Sequence, residues 1–569
     1  MRCRFKGTVA LPPGPPASAA NLPCVLPLAA SLERAVTDAA EIFLAAGVVL
    51  AIAYALLRSR IGILRWPLLS VSLLALGFGT ALGAWAWHEK RPRDVRGSAT
   101  EEFSETLRTD TTQARPKPKP KKGKKNPRTG RLYEEQWPTY GYDMQRTHLA
   151  PGWRRLRPPF RGLWKLKVRA DIEFPPSVAY GKVYVAQQKG RFFAVNARTG
   201  KVVWTRHFPN CAAASPTIAD GIVYQAYMHE LPCRKHEGGA EGFVIAWNAR
   251  NGKEYWRVKA GSVESSPVLV GKTLYFGSWD RHLYAYRLRG KKRPLLRWTF
   301  TADDQIVAAP AHAGRTLYIA TSNGSVYGVD AKTGRQVWHA TSFSRFGSRE
   351  YFYATPTVAY GRVFIGNADG TVYAFGAGTG HLLWAREVGT YVYTAAAVWR
   401  RTVFVGTWDG TFIALDARTG EPRWRFSAPS GITGAPTVLA GIVYFSTCGR
   451  CGAGGLRRVK IGPRRTFGLN ARNGDVIWRF HDGKYSALVA DGHRVYISGR
   501  NKVYAFIPEL RYRQLRKLRV RKCRELKRAR ARARCLSKAR ASTKSGKRGS
   551  GRAGRTSKPK SRQRPPTTS

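Results

Sequence analysis

The side chains able to do chemistry in this 569-residue chain fall into a few small groups. Cys448-Gly-Arg-Cys451 has the spacing of a dithiol redox pair or of half a zinc site. A redox pair needs a helix N-terminus to lower the thiol pKa, and zinc needs two further ligands. CGRC lies between β-rich runs with no second Cys pair nearby in sequence, so a structural disulfide is expected. Cys211 and Cys233 flank a longer hairpin and read as a second staple, suited to an oxidising compartment. HELPCRKHE (His229–Glu237) groups two His and two Glu, but not as H-E-x-x-H, and Pro232 opposes a helix. It reads as a solvated, disulfide-tied loop rather than a metal site. Trp279-Asp280 and Trp408-Asp409, beside Asn323 and Asn367, fall at strand ends. They line a ligand mouth or, more simply, make hairpin turns. Cys523 and Cys535 lie 12 residues apart, about 18 Å along one helix and beyond the ~7 Å a disulfide tolerates. They are expected to be free or to pair between chains. No catalytic set converges and no cofactor or metal is expected.

The elements that must position these groups announce themselves by repetition. An eleven-residue phrase recurs at a period of roughly 40–50 residues, the mark of a repeat architecture. It reads AVNARTGKVVW at Ala194–Trp204 and AWNARNGKEYW at Ala246–Trp256. It returns as GVDAKTGRQVW (Gly328–Trp338), AFGAGTGHLLW (Ala374–Trp384), ALDARTGEPRW (Ala414–Trp424) and GLNARNGDVIW (Gly468–Trp478). The Asp or Asn bonds its own turn backbone. The glycine (Gly200, Gly252, Gly334, Gly380, Gly420, Gly474) supplies positive φ. The Trp enters an outer strand, with its ring against the neighbouring unit. With a β-rich run upstream and an inner run opening on small residues and Pro downstream, each unit holds four strands, the blade of a β-propeller.

The second-strand run occurs eight times, near Val183, Ile222, Leu274, Leu317, Val363, Val403, Ile442 and Val495. The outer-strand Trp also occurs eight times: Trp164, Trp204, Trp256, Trp298, Trp338, Trp384, Trp424 and Trp478. Trp164 precedes the first run, and the last run has no Trp after it. Ring closure repairs the offset if Leu163–Val168 becomes the outer strand of the last blade, which also removes exposed sheet edges. The expected fold is therefore an all-β, eight-bladed propeller over 136–508. One unit, AYRLRGKKRPLLRW (Ala285–Trp298), lacks the Asp and carries a longer basic turn.

The pattern A-x-D-x-x-T-G-x-x-x-W resembles the pyrroloquinoline-quinone-type propeller repeat. That family contains quinoprotein alcohol and glucose dehydrogenases and non-catalytic scaffolds such as the lipoprotein of the outer-membrane β-barrel assembly machine. The resemblance implies for the enzymes a catalytic Asp, calcium, an adjacent Cys-Cys disulfide and a Trp floor beneath the quinone (PQQ). This sequence has no adjacent Cys pair, and no Asp or Glu matches the catalytic positions. The scaffold branch is the expected one. A quinoprotein dehydrogenase is the alternative, and a cytoplasmic nucleic-acid binder a second one.

The flanks are of another character. The chain carries 97 Lys and Arg against 35 Asp and Glu, a formal charge of +62. Arg511–Arg564 holds 24 basic residues and one Glu, read as a helix from Leu510 to about Arg540 followed by a disordered end. This tail (509–569) suits anionic lipid or wall polymer; nucleic acid would be its partner only in the cytoplasm. RPKPKPKKGKKNPR (Arg115–Arg128) reads as an extended spacer within a basic linker over 88–135. After an N-terminal tail over 1–40, Trp66–Trp87 is long and apolar enough to span a bilayer, and Ile42–Leu57 is a possible second span. Charges flank the main span on both sides, so the positive-inside rule leaves orientation open. The cysteines favour an extracytoplasmic ring, with an unknown protein or envelope ligand on its faces.

Overall fold

The computed structural model describes residues 28–57, 65–97, 103–104, 137–150, 152–233, 240–345, 348–449, 462–485, 488–525 and 529–541. Eight four-stranded antiparallel sheets form the ring. Blade 1 runs through Ser177–Ala179, Lys182–Ala186, Arg191–Asn196 and Val202–His207, from the axis outward. Blades 2 to 7 repeat this order, their inner strands starting at Thr217, Val268, Ala311, Thr357, Ala397 and Thr437. Blade 8 has only three strands from the C-terminal side, ending in Lys502–Pro508. Its outer strand is Phe160–Lys167, paired antiparallel with Trp164 opposite Ala505. The displaced Trp164 is thus the mark of ring closure. In the degenerate unit of blade 3 the strands His282–Arg289 and Lys292–Thr301 still pair, with two register shifts absorbing the irregular turn.

The middle strands are buried along their whole length in most blades, as Arg362–Gly366 and Ile442–Ser446 are. The outer strands alternate, as in Pro422–Ser427. This is what blades packed on both faces inside and wet at the rim require.

Two helices precede the ring, α1 (Leu28–Leu57) and α2 (Arg65–Lys90), packed against each other. Their apolar stretches, Ala35–Leu56 and Trp66–Lys90, are each long enough to cross a membrane. The first begins earlier than the sequence reading placed it. After the ring come α3 (Glu509–Arg524) and α4 (Ala529–Ala541), where a single helix was expected. The reversal joins Cys523 and Cys535 in a disulfide with a Cα separation of 5.5 Å. This corrects the expectation that the two are free or intermolecular, which held only for one straight helix. Helix α2 ends against the loop after blade 4, where Arg93 donates to the Ser344 carbonyl at 2.6 Å. Helix α3 leaves from the foot of blade 8, where the Glu509 N–H donates to Pro159. The apolar and the basic helical pairs therefore attach at opposite faces of the ring.

Candidate functional site

The repeated phrase builds the seams between blades. Each turn glycine has positive φ, and each lies under the Trp of the preceding blade. A Cβ on Gly200 would come 2.7 Å from Trp164; on Gly252, 2.6 Å from Trp204; on Gly334, 2.6 Å from Trp298. The same holds for Gly380 with Trp338, Gly420 with Trp384 and Gly474 with Trp424, at 2.6–2.8 Å. In most of these seams the indole N–H then reaches a carbonyl of the same turn, as Trp164 to Ala197 at 3.0 Å, Trp338 to Ala377 at 3.0 Å and Trp384 to Ala417 at 3.1 Å; the Trp298 N–H does not. At the degenerate turn Trp256 donates to Gly290 instead, at 3.3 Å. Trp478 packs on Phe160 of the closing strand.

The centre of the ring is occupied by a segment that the repeat pattern does not reveal. Trp137–Ala150 threads the axis and offers one carbonyl to the inner strand of blade after blade. Val178, Ile218, His312, Val358, Val398 and Val438 donate to Trp137, Pro138, Met144, Gln145, Thr147 and His148 at 2.8–3.1 Å. Arg146 is fully buried, and its guanidinium serves blade 3 and adds a second tie to blade 4. It donates to the carbonyls of Ser266, Pro267, Pro310 and Tyr140 and to the Thr139 hydroxyl. Tyr142, Arg146 and His148 all take positive φ in this tight course. Burial lowers the Arg146 pKa to about 10 and that of His148 to about 3, and raises Asp143 to about 6.

Above this plug lies an axial cavity of about 90 Å³, floored by Tyr140 and walled by residues just ahead of the inner strands. Two carboxylates, Glu173 and Glu264, line it with Phe174, Tyr353, Tyr393 and Thr433. The Tyr353 hydroxyl donates to the Glu264 carboxylate in a short contact. The Tyr351 and Tyr393 hydroxyls lie 3.0 Å apart, and burial holds both phenols above their ordinary range.

The residues singled out in sequence mostly lie elsewhere. Cys211 and Cys233 are disulfide-bonded. Cys448 is also disulfide-bonded, while Cys451 lies outside the described residues. His229 is buried, not solvated, with Nδ1 3.1 Å from the Ser262 hydroxyl; His236 and Glu237 lie outside the described residues. Asp280 and Asp409 tie hairpins to adjacent loops, accepting from the N–H of Gly261 and of Thr390. Asn367 donates to the Glu350 carbonyl at 2.8 Å. Among the described residues no group of three or more His, Cys, Asp or Glu could hold a metal.

The segment after α2, expected to be plain linker, docks on the ring. Val95 and Ala385 exchange backbone hydrogen bonds at 2.9 and 3.0 Å, adding to the outer edge of blade 5. Asp94 accepts from Arg386 at 2.6 Å and from the Glu387 N–H at 2.8 Å. Phe103 stacks on Tyr360, with the Arg362 guanidinium 5.3 Å from its ring. This is strand addition to a free sheet edge.

An eight-bladed ring with a Trp-on-Gly contact at six of its eight seams defines a propeller of the pyrroloquinoline-quinone repeat class. The family model described as outer membrane protein assembly factor BamB matches residues 153–294, 295–396 and 368–531, and the chain belongs to this family. It is similar to tetrathionate hydrolase of Acidithiobacillus ferrooxidans, 26% identical over 167 residues, 25% of this chain and 31% of that protein. It is similar to outer membrane protein assembly factor BamB of Shewanella oneidensis, 24% identical over 185 residues, 31% of this chain and 45% of that protein. It is also similar to quinohemoprotein alcohol dehydrogenase ADH-IIG of Pseudomonas putida, 31% identical over 186 residues, 28% of this chain and 24% of that protein. The solved structure of that dehydrogenase shares the fold, at TM-score 0.52 and 12% identity, covering 66% of this chain and 80% of that one. The chain spans less than half the length of each of these curated relatives.

The dehydrogenase relatives raise the question of a quinone with calcium, and the axial cavity does not fit the pair. Pyrroloquinoline quinone is a tricarboxylate, and among the described residues no Lys, Arg or His lines this cavity. Its volume is also well below the roughly 300–1,000 Å³ of pockets for ligands of that size.

Proposed function

We propose that this protein is a membrane-tethered, extracytoplasmic propeller scaffold that presents its faces to a protein or envelope partner and carries out no catalysis. The observation that carries the reading is the docked segment Asp94–Gly97. It couples two apolar helices to the rim of blade 5, so the ring is held as a platform and not on a loose leash. BamB-type relatives support a protein partner. The dehydrogenase relatives support the enzymatic alternative equally by similarity, but the carboxylate-lined cavity disfavours it. Disulfides in the ring and in the tail favour an oxidising compartment. The stapled basic pair α3 and α4, attached at the face opposite α2, suits anionic lipid or wall polymer. A cytoplasmic nucleic-acid binder would have to keep these cysteines bridged in a reducing milieu.

The reading is tested in intact membranes. Photo-crosslinkers on the exposed faces should trap the same partner from several adjacent blades, and a phosphatase reporter after Phe506 should be active outside. Stoichiometric quinone and calcium binding with dye-linked alcohol oxidation would replace the scaffold by the enzyme.

A further inference from the structure

The ring carries an exposed apolar rim where three neighbouring outer strands begin. Leu163 in blade 8, Val202 and Val203 in blade 1, and Val476 and Ile477 in blade 7 are each 36–46% exposed. The pairings place them at one foot of the ring: Val202 lies opposite Val195, Val476 opposite Leu469, and the closing strand opens with Phe160 opposite Pro508. Helix α3 leaves from this foot. Its Leu510, Leu515 and Leu518 are 49–71% exposed and, at 3.6 residues per turn, fall within an arc of about 140°. Tyr512, with the Arg161 guanidinium 4.1 Å from its ring, and the buried Cys523 lie on the other side of the helix. The leucines therefore face away from the ring. Contiguous apolar surface of this kind marks an interaction site.

The same surface is cationic. Helix α3 carries eight Lys or Arg against Glu509, and α4 five against no acid. Glu509 is paired with Arg161 and Arg513, and the exposed Glu525 with Arg521. Asp475 is a further exposed acid at this foot, while Arg154, Arg155 and Arg157, which lead into the closing strand, are exposed as well. The Cys523–Cys535 bridge holds α4 beside α3. Leucines bordered by long cationic stems suit a helix lying in the interface of an anionic bilayer. The leucines enter the acyl boundary to a depth of about 5–10 Å, and the stems reach back to the headgroups. A nucleic acid or a wall polymer would use the charge but gain nothing from the leucines or the valine rim.

We infer that this foot, formed by α3 and the outer-strand starts of blades 7, 8 and 1, docks on an anionic phospholipid bilayer, and that this bilayer is not the one α1 and α2 would span. Helix α2 meets the ring at Ser344, past the end of the outer strand Gln336–Thr341. Helix α3 leaves beside the start of an outer strand, Phe160–Lys167. Outer strands of six to eight residues set the two attachments roughly 20–27 Å apart along the blades, on opposite faces. A bilayer held against one face by the helical pair is out of reach of the other, so the ring bridges two apposed membranes. The docking face stands independently; the bridging rests on the tethered reading.

The full chain is reconstituted into phosphatidylcholine vesicles, and carbonate extraction reports whether it is held as an integral protein. Fluorescent vesicles of phosphatidylcholine alone, or mixed with phosphatidylglycerol, are then added, and capture is measured per outward-facing ring. Anionic vesicles should be captured and neutral ones not. Leu515→Ser joined with Leu518→Ser changes no charge and should reduce capture at least about ten-fold, because two leucines lose their burial. Val202→Thr joined with Val203→Thr keeps strand-forming residues and should reduce it by a smaller factor. Equal capture by the leucine variant, abolished by soluble polyglutamate, identifies a polyanion surface and overturns the inference. No capture by protein that resists carbonate also overturns it and leaves the tether intact. Protein stripped by carbonate counts against the tether alone. Its flotation with the anionic vesicles, lost in the leucine variant, still supports the docking face, and failure to float overturns it.

Discussion

Trp384 covers Gly420 of the next blade so closely that a Cβ on the glycine would lie 2.8 Å from the indole, and Gly420 takes φ +77°. Alanine there must both adopt the left-handed region, at about 1–2 kcal/mol, and push against a buried ring, at about 1–3 kcal/mol. Gly420→Ala should therefore lower stability by about 2–5 kcal/mol in denaturant unfolding. Gly290→Ala should cost only the backbone part, because nothing lies within 4 Å of its Cβ position. Equal losses at the two positions would mean that the Trp contact adds nothing.

The contrast explains what was legible in the sequence. Trp and Gly recur because six of the eight seams repeat one contact, so blade count and closure by the strand around Trp164 can be read from spacing alone. Trp137–Ala150 occurs once and has neither period 2 nor period 3.6. Its role depends on seven blades being assembled around it, and its only local sign is a cluster of turn-type residues around Gly141. The cavity is hidden for the same reason: Glu173 and Glu264 are 91 positions apart (264 less 173) and meet only across the closed axis. Cys523 and Cys535 were misread because a helix reversal has no charge or apolar period to mark it.

Arg146 holds the plug to blades 3 and 4 through its guanidinium. Methionine would fill much of the space but leave the carbonyls of Tyr140, Ser266 and Pro310 without that donor, while Pro267 keeps its bond from the Thr217 hydroxyl. Each buried unsatisfied group costs about 1–3 kcal/mol, so Arg146→Met should destabilise the ring by at least about 3 kcal/mol in the same assay. Arg146→Lys keeps the charge but loses the planar fork, and should recover only a minor part. An Arg146→Met protein with wild-type stability would show that the plug is not structural.

Cys211 and Cys233 close a loop of 22 residues. Chain-entropy reasoning assigns such a bridge about 3 kcal/mol. The paired Ser variant should lose about that much. Peptide mapping of protein isolated from membranes without reductant should recover this bridge and the Cys523–Cys535 bridge in one chain. Free thiols at both pairs in protein alkylated before lysis would place the ring in a reducing compartment instead.

Asp94 and Val95 carry the docking of the helical pair on blade 5. Val95→Pro removes the N–H that donates to Ala385. Joined with Asp94→Ala, it should leave the unfolding midpoint of the ring within about 1 kcal/mol of the parent, since partly exposed ion pairs contribute little. It should nevertheless speed proteolytic separation of α1 and α2 from the ring several-fold. An unchanged cleavage rate would count against a held platform.

The plug also sets a pH signature. Asp143 is raised to about 6 by burial, against the Thr147 hydrogen bonds that lower it. Its contribution is full below about pH 4 and is lost as pH rises through 6. His148 is lowered to about 3, first by burial and then by Arg146. Its contribution is full above about pH 6.5 and is lost as pH falls toward 3. Between pH 4 and 6 the two slopes oppose each other, each near 1.4 kcal/mol per pH unit. Asp143→Asn removes the term that rises on acidification and leaves the histidine term alone. Relative to the parent, the variant should lose about 3 kcal/mol as pH falls from 6 to 4, measured as denaturant midpoints at half-unit steps. Parallel curves for parent and variant would show that Asp143 does not take up its proton inside the folded ring.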